Sequence, residues 1–349
     1  MAHDNEILAQ YAAPGELFAK LENAVVRCFA CGHRCKILQG RSGTCKVRFN
    51  RDGILQVPFG YVSGLQCDPI EKKPFFHVRP GSSALSFGML GCNFHCGFCQ
   101  NWVTSQALRD PDSVTHLTPI TPERIVKAAK ANGSRIVVST YNEPLITSEW
   151  AVAVFKEAKA SGMLTAYVSN GCATPEVLEY LLPWVDVFNI DLKSFDEARY
   201  RELGGQLQPV LDTIKILFEK RVWLEIVTLL VPGFNDSRDE LQALTEYIRN
   251  VSRDIPWHVT AFHKNYRMTD PRNTSSEDLM RAVEIGRDSG LHYIYAGNLP
   301  GSTEDMENTR CPKCGELIVE RIGFRVLQSR IGAEGTCPSC NTSIAGRWS

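Results

Sequence analysis

The placement of cysteines restricts this chain more than any other feature. There are 13 in 349 residues. All but Cys67 and Cys172 fall in three tight groups: Cys28, Cys31, Cys35 and Cys45; Cys92, Cys96 and Cys99; and Cys311, Cys314, Cys337 and Cys340. Random scatter does not give such grouping. In a reducing compartment these groups read as metal ligands rather than disulfides. The two single cysteines read as small buried hydrophobes.

Composition sets the remaining bounds. At 44% hydrophobic residues the chain can bury more than one compact unit. A net charge of -1 argues against bulk electrostatic capture by nucleic acid or anionic membrane. No apolar run approaches the roughly 18 residues that span a bilayer. The greasiest stretch, Val222 to Phe234, is broken by Glu225. The start, Met1 to Glu6, lacks the basic-then-apolar pattern of a signal peptide, so the expected location is cytoplasmic.

Three regions follow from the texture of the sequence. Residues 1–82 read as a leading helix over 1–25 and a loop-rich, metal-stapled extension with short strands at 54–57 and 61–62. In residues 83–301, short apolar runs alternate with helical patterns. The runs are 84–90, 135–140, 164–169, 185–192, 222–231 and 256–262, with a last one at 293–296 that closes or extends the sheet. Helix candidates lie near 122–132, 148–161, 175–182, 196–202, 207–219 and 236–252. Alternating strands and helices imply parallel strands with right-handed crossovers. The expected fold is therefore α/β, a partial (β/α)6 barrel with its chemistry at the C-terminal ends of the strands. A polar, acidic linker over 302–308 leads to a separate module, 309–349.

The strongest motif directly follows the first barrel strand: Gly91-Cys92-Asn93-Phe94-His95-Cys96-Gly97-Phe98-Cys99-Gln100-Asn101-Trp102. An iron–sulfur cubane normally takes four thiolates. This C-x3-C-x2-C run supplies three and leaves one iron open, unlike a closed tetrahedral zinc site. His95 reads as a shaper of the loop, and Trp102 and Tyr141 equally as packing residues or substrate contacts.

The motif, with Phe98 before its third cysteine, resembles that of radical S-adenosylmethionine (SAM) enzymes. The resemblance implies that SAM chelates the open iron of a [4Fe–4S] cluster. It further implies reductive cleavage to methionine and a 5′-deoxyadenosyl radical, which starts hydrogen-atom abstraction. Other strand ends agree. Thr140-Tyr141-Asn142-Glu143-Pro144 resembles the Gly-Gly-Glu-Pro element that binds the SAM amino group, with Tyr141 and Asn142 in place of the glycines. Ser169-Asn170-Gly171 suits a contact near the ribose. Asp191-Leu192-Lys193 resembles a SAM-contacting element of glycyl-radical activating enzymes, and His263 ends the sixth strand. Taken singly, these read as well as an ion pair or an ordinary turn.

Across residues 26–300 the chain resembles the AmmeMemoRadiSam-system radical SAM enzymes, relatives of pyruvate formate-lyase activating enzymes. The residues that carry this are Asp68-Pro69-Ile70-Glu71-Lys72-Lys73-Pro74, His77, Pro80-Gly81-Ser82 and the two motifs above. The resemblance names Memo-like and AMMECR-like proteins as partners and a flavodoxin- or ferredoxin-type electron donor.

The flanking cysteines carry separate readings. Cys311-Pro-Lys-Cys314-Gly and Cys337-Pro-Ser-Cys340-Asn, with strands at 317–319 and 324–327 between them, read as a zinc ribbon. A rubredoxin-like iron site is the rival. Cys28, Cys31, Cys35 and Cys45 read as zinc or an auxiliary cluster. The expected function is a radical SAM oxidoreductase. The alternatives are a glycyl-radical-enzyme activase and, from another class, a zinc-ribbon nucleic-acid-binding protein with a degenerate barrel. Few aromatics and scattered basic residues in the ribbon make nucleic acid the weaker partner.

Overall fold

The computed structural model describes residues 8–113, 116–299, 305–332 and 334–349. Its centre is one eight-stranded sheet. In chain order the strands are β1 (Gly64–Pro69), β2 (Ser83–Gly88), β3 (Ile136–Ser139), β4 (Leu164–Ser169), β5 (Val187–Asp191), β6 (Trp223–Leu230), β7 (Trp257–Ala261) and β8 (Ile294–Gly297). Spatial order follows chain order. β2 to β8 are parallel to one another, and β1 pairs antiparallel with β2 at one edge. β1 and β8 do not meet, so the barrel is partial. The run at 293–296 extends the sheet as a seventh parallel strand.

Burial explains why these segments are strands. β6 is almost wholly buried, as a parallel strand covered on both faces must be. Along β4 the faces alternate: Ala166 and Val168 point to an inner core, Tyr167 to an outer one. The outer core lies under the helices α1 (Pro122–Ala131), α2 (Ser148–Ala160), α3 (Pro175–Leu181), α4 (Glu197–Glu202), α5 (Leu207–Glu219), α6 (Arg238–Val251) and α7 (Ser276–Asp288). Thr121, Thr174, Asp196, Ser237 and Ser275 cap five of them by accepting backbone N–H bonds. Each cap contributes about 1 kcal/mol and fixes where its helix starts.

Ile70, Phe75 and Val78 form the inner core with Ala84, Ile136, Val138, Ala166 and Val187. Ala84, Ile136 and Val187 stand at the first or second position of their strands, so this plug fills the barrel floor.

Among the described residues, the leading helix expected over 1–25 is confined to residues 8–10. Residues 1–7 lie outside the described residues; residues 8–10 are helical, and beyond them short strands at Ala12–Pro14 and Phe18–Lys20 are joined by turns and irregular chain. Ala12–Pro14 pairs with Gln56–Pro58, and Phe18–Lys20 with Val26–Cys28. Pairing partners distant in sequence override the weak local helical pattern. A bidentate ion pair ties this N-terminal unit to α2: Arg48 Nη1 and Nη2 donate to the Glu149 oxygens at 2.7 Å each, with both side chains buried.

The C-terminal region forms the expected hairpin, longer than the sequence suggests, over Leu317–Ile322 and Arg325–Ser329, with a short third strand at Thr309–Arg310. It does not stand apart as a separate module. Its Ile318, Val319 and Ile344 share a core with Phe76, Tyr293 and Tyr295. Arg321 is buried, donates to the Phe76 carbonyl at 2.6 Å and stacks on the Phe76 ring. The His77 ring bridges the Ala345 carbonyl and the Tyr295 hydroxyl, both at 2.6 Å. The start of the expected linker over 302–308 lies outside the described residues.

Candidate metal and cofactor site

Cys92, Cys96 and Cys99 lie in the loop that leaves the C-terminal end of β2. The chain's own backbone holds this loop. Arg109 donates to the carbonyls of Cys92 (2.9 Å), Phe94 (2.8 Å) and Thr44 (2.6 Å), clamping the loop to the N-terminal unit. Gly204 and Gly205 leave room for it: a Cβ on Gly205 would lie 2.2 Å from the Phe94 ring, and one on Gly204 would lie 2.3 Å from the His95 ring. On the other side, the N–H groups of Arg267 and Met268 both bond to the Gly97 carbonyl at 3.0 Å, and Tyr266 stacks on Trp102.

A cavity of about 540 Å³ opens beside the three sulfurs, within the range of ligand sites. Asn142, Glu143, Asn170, Asp191 and Lys193 line it together with the cysteines. β3, β4 and β5 deliver these residues from their C-terminal ends, so chain order and parallel register alone bring them together.

Their present contacts differ. The Glu143 carboxylate is a brace: it accepts from Ser169 Oγ (2.7 Å), the Asn170 N–H (2.7 Å) and the Leu145 N–H (2.9 Å). Burial lifts its pKa to about 7 against those three bonds. Asn170 Nδ2 donates to Asn93 Oδ1 at 2.7 Å, which ties β4 to the cysteine loop. Asn142 Oδ1 accepts from the Met89 N–H at 3.0 Å. Lys193 Nζ and Asp191 Oδ2 pair at 2.8 Å. Burial works against the Lys193 ammonium, but Asp191 outweighs it and raises the pKa. His263 stands apart: its Nε2 contacts the Asn298 carbonyl, and it is not among the residues lining the cavity.

The thiols call for a positive centre. Burial drives Cys92 well above the ordinary thiol range, with the Glu143 charge adding to it, and pushes Cys96 up to about 12 against the pull of Lys193. A metal bound here would supply the charge that compensates the thiolates. Three thiolates on an open cavity suit an iron–sulfur cluster with one iron free for another ligand.

One residue at this site carries no sequence signal, and another departs from its motif. Arg109 belongs to no motif, and its role depends on tertiary contact. Tyr141 has φ +74, the left-handed region that favours glycine. The backbone of a glycine is thus kept with a tyrosine in place, held by Lys73 through a 3.2 Å hydrogen bond and a contact to the ring face. The far wall of the cavity includes His258, Tyr295, Glu307 and Phe324. The last two come from the C-terminal region.

The C-terminal cysteines are of another kind. Cys311 and Cys340 sulfurs lie 3.6 Å apart, as do those of Cys314 and Cys337. Among the described residues, this is the one group of three or more metal-ligating side chains whose ligand atoms all lie within 4.8 Å of one another. A tetrahedral ion at about 2.3 Å from each sulfur needs sulfurs roughly 3.8 Å apart, so this quartet is shaped for a single ion. Among the described residues, no helix is long and apolar enough to cross a membrane.

The family description Radical SAM superfamily matches residues 88–248. The chain is 36% identical over 330 residues to the uncharacterized protein MJ0808 of Methanocaldococcus jannaschii, covering 94% of this chain and 97% of that one. It is 36% identical over 170 residues to the choline trimethylamine-lyase activating enzyme of Oleidesulfovibrio alaskensis, 47% of this chain and about half (49%) of that protein. Over 194 residues it is 28% identical to the pyruvate formate-lyase-activating enzyme of Staphylococcus aureus, 50% of this chain and 74% of the relative.

Proposed function

The chain belongs to the radical SAM superfamily, and we propose that it is an oxidoreductase that starts hydrogen-atom abstraction by reductive cleavage of SAM. The observation that carries this is the convergence of Cys92, Cys96 and Cys99 with Asp191 and Lys193 on one cavity at the strand ends. Cys92, Cys96 and Cys99 would hold the [4Fe–4S] cluster. When bound, that cluster supplies one electron to SAM and cleaves it to methionine and a 5′-deoxyadenosyl radical. Asp191 and Lys193 offer a carboxylate and an ammonium to the charged and hydroxyl groups of SAM. Glu143, Ser169 and Asn170 hold the loop ends that face it. The plugged floor excludes water from below. In the C-terminal region, Cys311, Cys314, Cys337 and Cys340 would hold one zinc with a folding role.

The motif over Asp68–Pro74 supports the finer assignment to the AmmeMemoRadiSam group. Memo-like and AMMECR-like proteins and a flavodoxin- or ferredoxin-type donor are the partners this assignment brings. A second reading, activation of a glycyl-radical enzyme, draws on the similarity to two activating enzymes. The test is anaerobic reconstitution followed by dithionite and SAM. Formation of 5′-deoxyadenosine supports the function, and none from a fully loaded protein contradicts it. A glycyl-radical signal on an added partner enzyme would favour the second reading.

A further inference from the structure

The N-terminal cysteines differ from the C-terminal quartet in the respect that decides between one ion and a cluster. Cys28, Cys31, Cys35 and Cys45 line one small cavity, and all four thiols are free. Cys28 ends a strand, Cys31 and Cys35 sit in the following loop, and Cys45 comes from a later turn. They therefore approach the cavity from several directions rather than as two facing pairs. In the C-terminal quartet the sulfurs meet at a point, 3.6 Å apart in two cross-pairs. The N-terminal four do not come within 4.8 Å of one another as a group, and neither do Cys92, Cys96 and Cys99. A single zinc binds all its sulfurs at about 2.3 Å. In a cubane each thiolate binds a different iron, which keeps the sulfurs farther apart.

We propose that Cys28, Cys31, Cys35 and Cys45 hold a second [4Fe–4S] cluster, ligated at all four irons. Each thiol gives up its proton and binds one iron. The [4Fe–4S]2+ core with four thiolates has a net charge of -2. No iron is left open, so this cluster does not bind SAM.

The surroundings suit an anionic centre beside the catalytic loop. Arg109 sits between the two cysteine groups and donates to Thr44, next to Cys45, and to Cys92. Those contacts are carbonyls, and among the described residues no carboxylate forms an ion pair with it. Contact between the groups is direct. A Cβ on Gly91 would lie 3.0 Å from the Cys45 carbonyl and 2.7 Å from Val47 Cγ1. His33 Nε2 meets the Asn93 carbonyl at 3.1 Å. By contrast, the buried Arg48 is already neutralised by Glu149.

The test is metal analysis of the anaerobically reconstituted full chain and of two variants. The native chain should carry about eight iron, four per cubane, and about one zinc. The C92A/C96A/C99A variant should keep about four iron, with a reduced-cluster electron paramagnetic resonance signal that SAM does not alter. C31A/C45A in that background should lose the remaining iron, with circular dichroism confirming the fold. If the double variant unfolds, the first variant still decides. About four iron and two zinc in the native chain, with no iron in C92A/C96A/C99A, would overturn the proposal. So would a signal in C92A/C96A/C99A that shifts with SAM.

Discussion

Two groups of cysteines in this chain share a ligand chemistry and differ in nearly everything around it. Cys311, Cys314, Cys337 and Cys340 meet at a point on a short hairpin, and their geometry is complete without any other residue. Cys92, Cys96 and Cys99 stand apart on a loop that leans on the rest of the protein: Arg109, Gly204, Gly205 and Asn170 each hold part of it. A closed site needs only its own ligands. An open site needs a scaffold that keeps one position clear and arranges charges to face it.

The sharpest way to break this contrast is to remove each group in turn. Replacing Cys92, Cys96 and Cys99 by Ala should abolish 5′-deoxyadenosine formation while the chain stays folded. Residual activity at the native rate would refute the assignment. Replacing Cys314 and Cys340 by Ser should release the single ion this quartet is shaped for, expected to be zinc, and should leave the iron bound. Sequence alone set residues 309–349 apart as a separate module. The packing of Arg321 and Trp348 around Phe76 and His77 shows instead that truncation would strip a barrel face, so substitution is the cleaner test.

The brace at Glu143 gives a pH signature. Its folded-state pKa, about 7, lies above its ordinary value of 4.5. The folded chain therefore holds that proton more tightly than the unfolded chain. Stability is highest below about pH 4.5 and falls as pH rises to about 7, by roughly 3 kcal/mol from this group. Denaturant titrations of the metal-free protein should show that slope, and E143Q should flatten it. An unchanged slope in E143Q would remove Glu143 as its source.

Smaller effects sharpen the picture of the open position. D191N and K193M should each weaken SAM binding by roughly 1.5–3 kcal/mol, about ten- to hundred-fold, without loss of iron. Unaltered affinity in both would mean that the pair only neutralises itself. Y141F removes the hydroxyl that Lys73 reaches and should cost about 1 kcal/mol of stability. A larger loss would point to the φ +74 backbone as the weak point.

The parallel strands were legible because buried strands are continuous apolar runs. α7 was missed although Ser275 and Asp278 form a capping box at its start. β1 was missed because Gly64–Pro69 is an edge strand, largely exposed and ending in Pro. The helix expected over 1–25 failed because its few apolar residues fit either period, and its strand partners at 56–58 are distant in sequence. The cysteine loop and the strand-end polar residues could be found from local spacing. Arg109, Gly204, Gly205 and the cavity wall at Glu307 and Phe324 could not, since each acts on residues that only the folded chain brings near.

A cluster held by Cys92, Cys96 and Cys99 alone would leave one iron for SAM. Electron–nuclear double resonance on the reduced native chain, with SAM labelled at its methionine nitrogen and carboxylate, tests it most directly. Couplings from both labels should be present in the native chain and absent from C92A/C96A/C99A. A fully loaded native chain that binds SAM but shows neither coupling would contradict it.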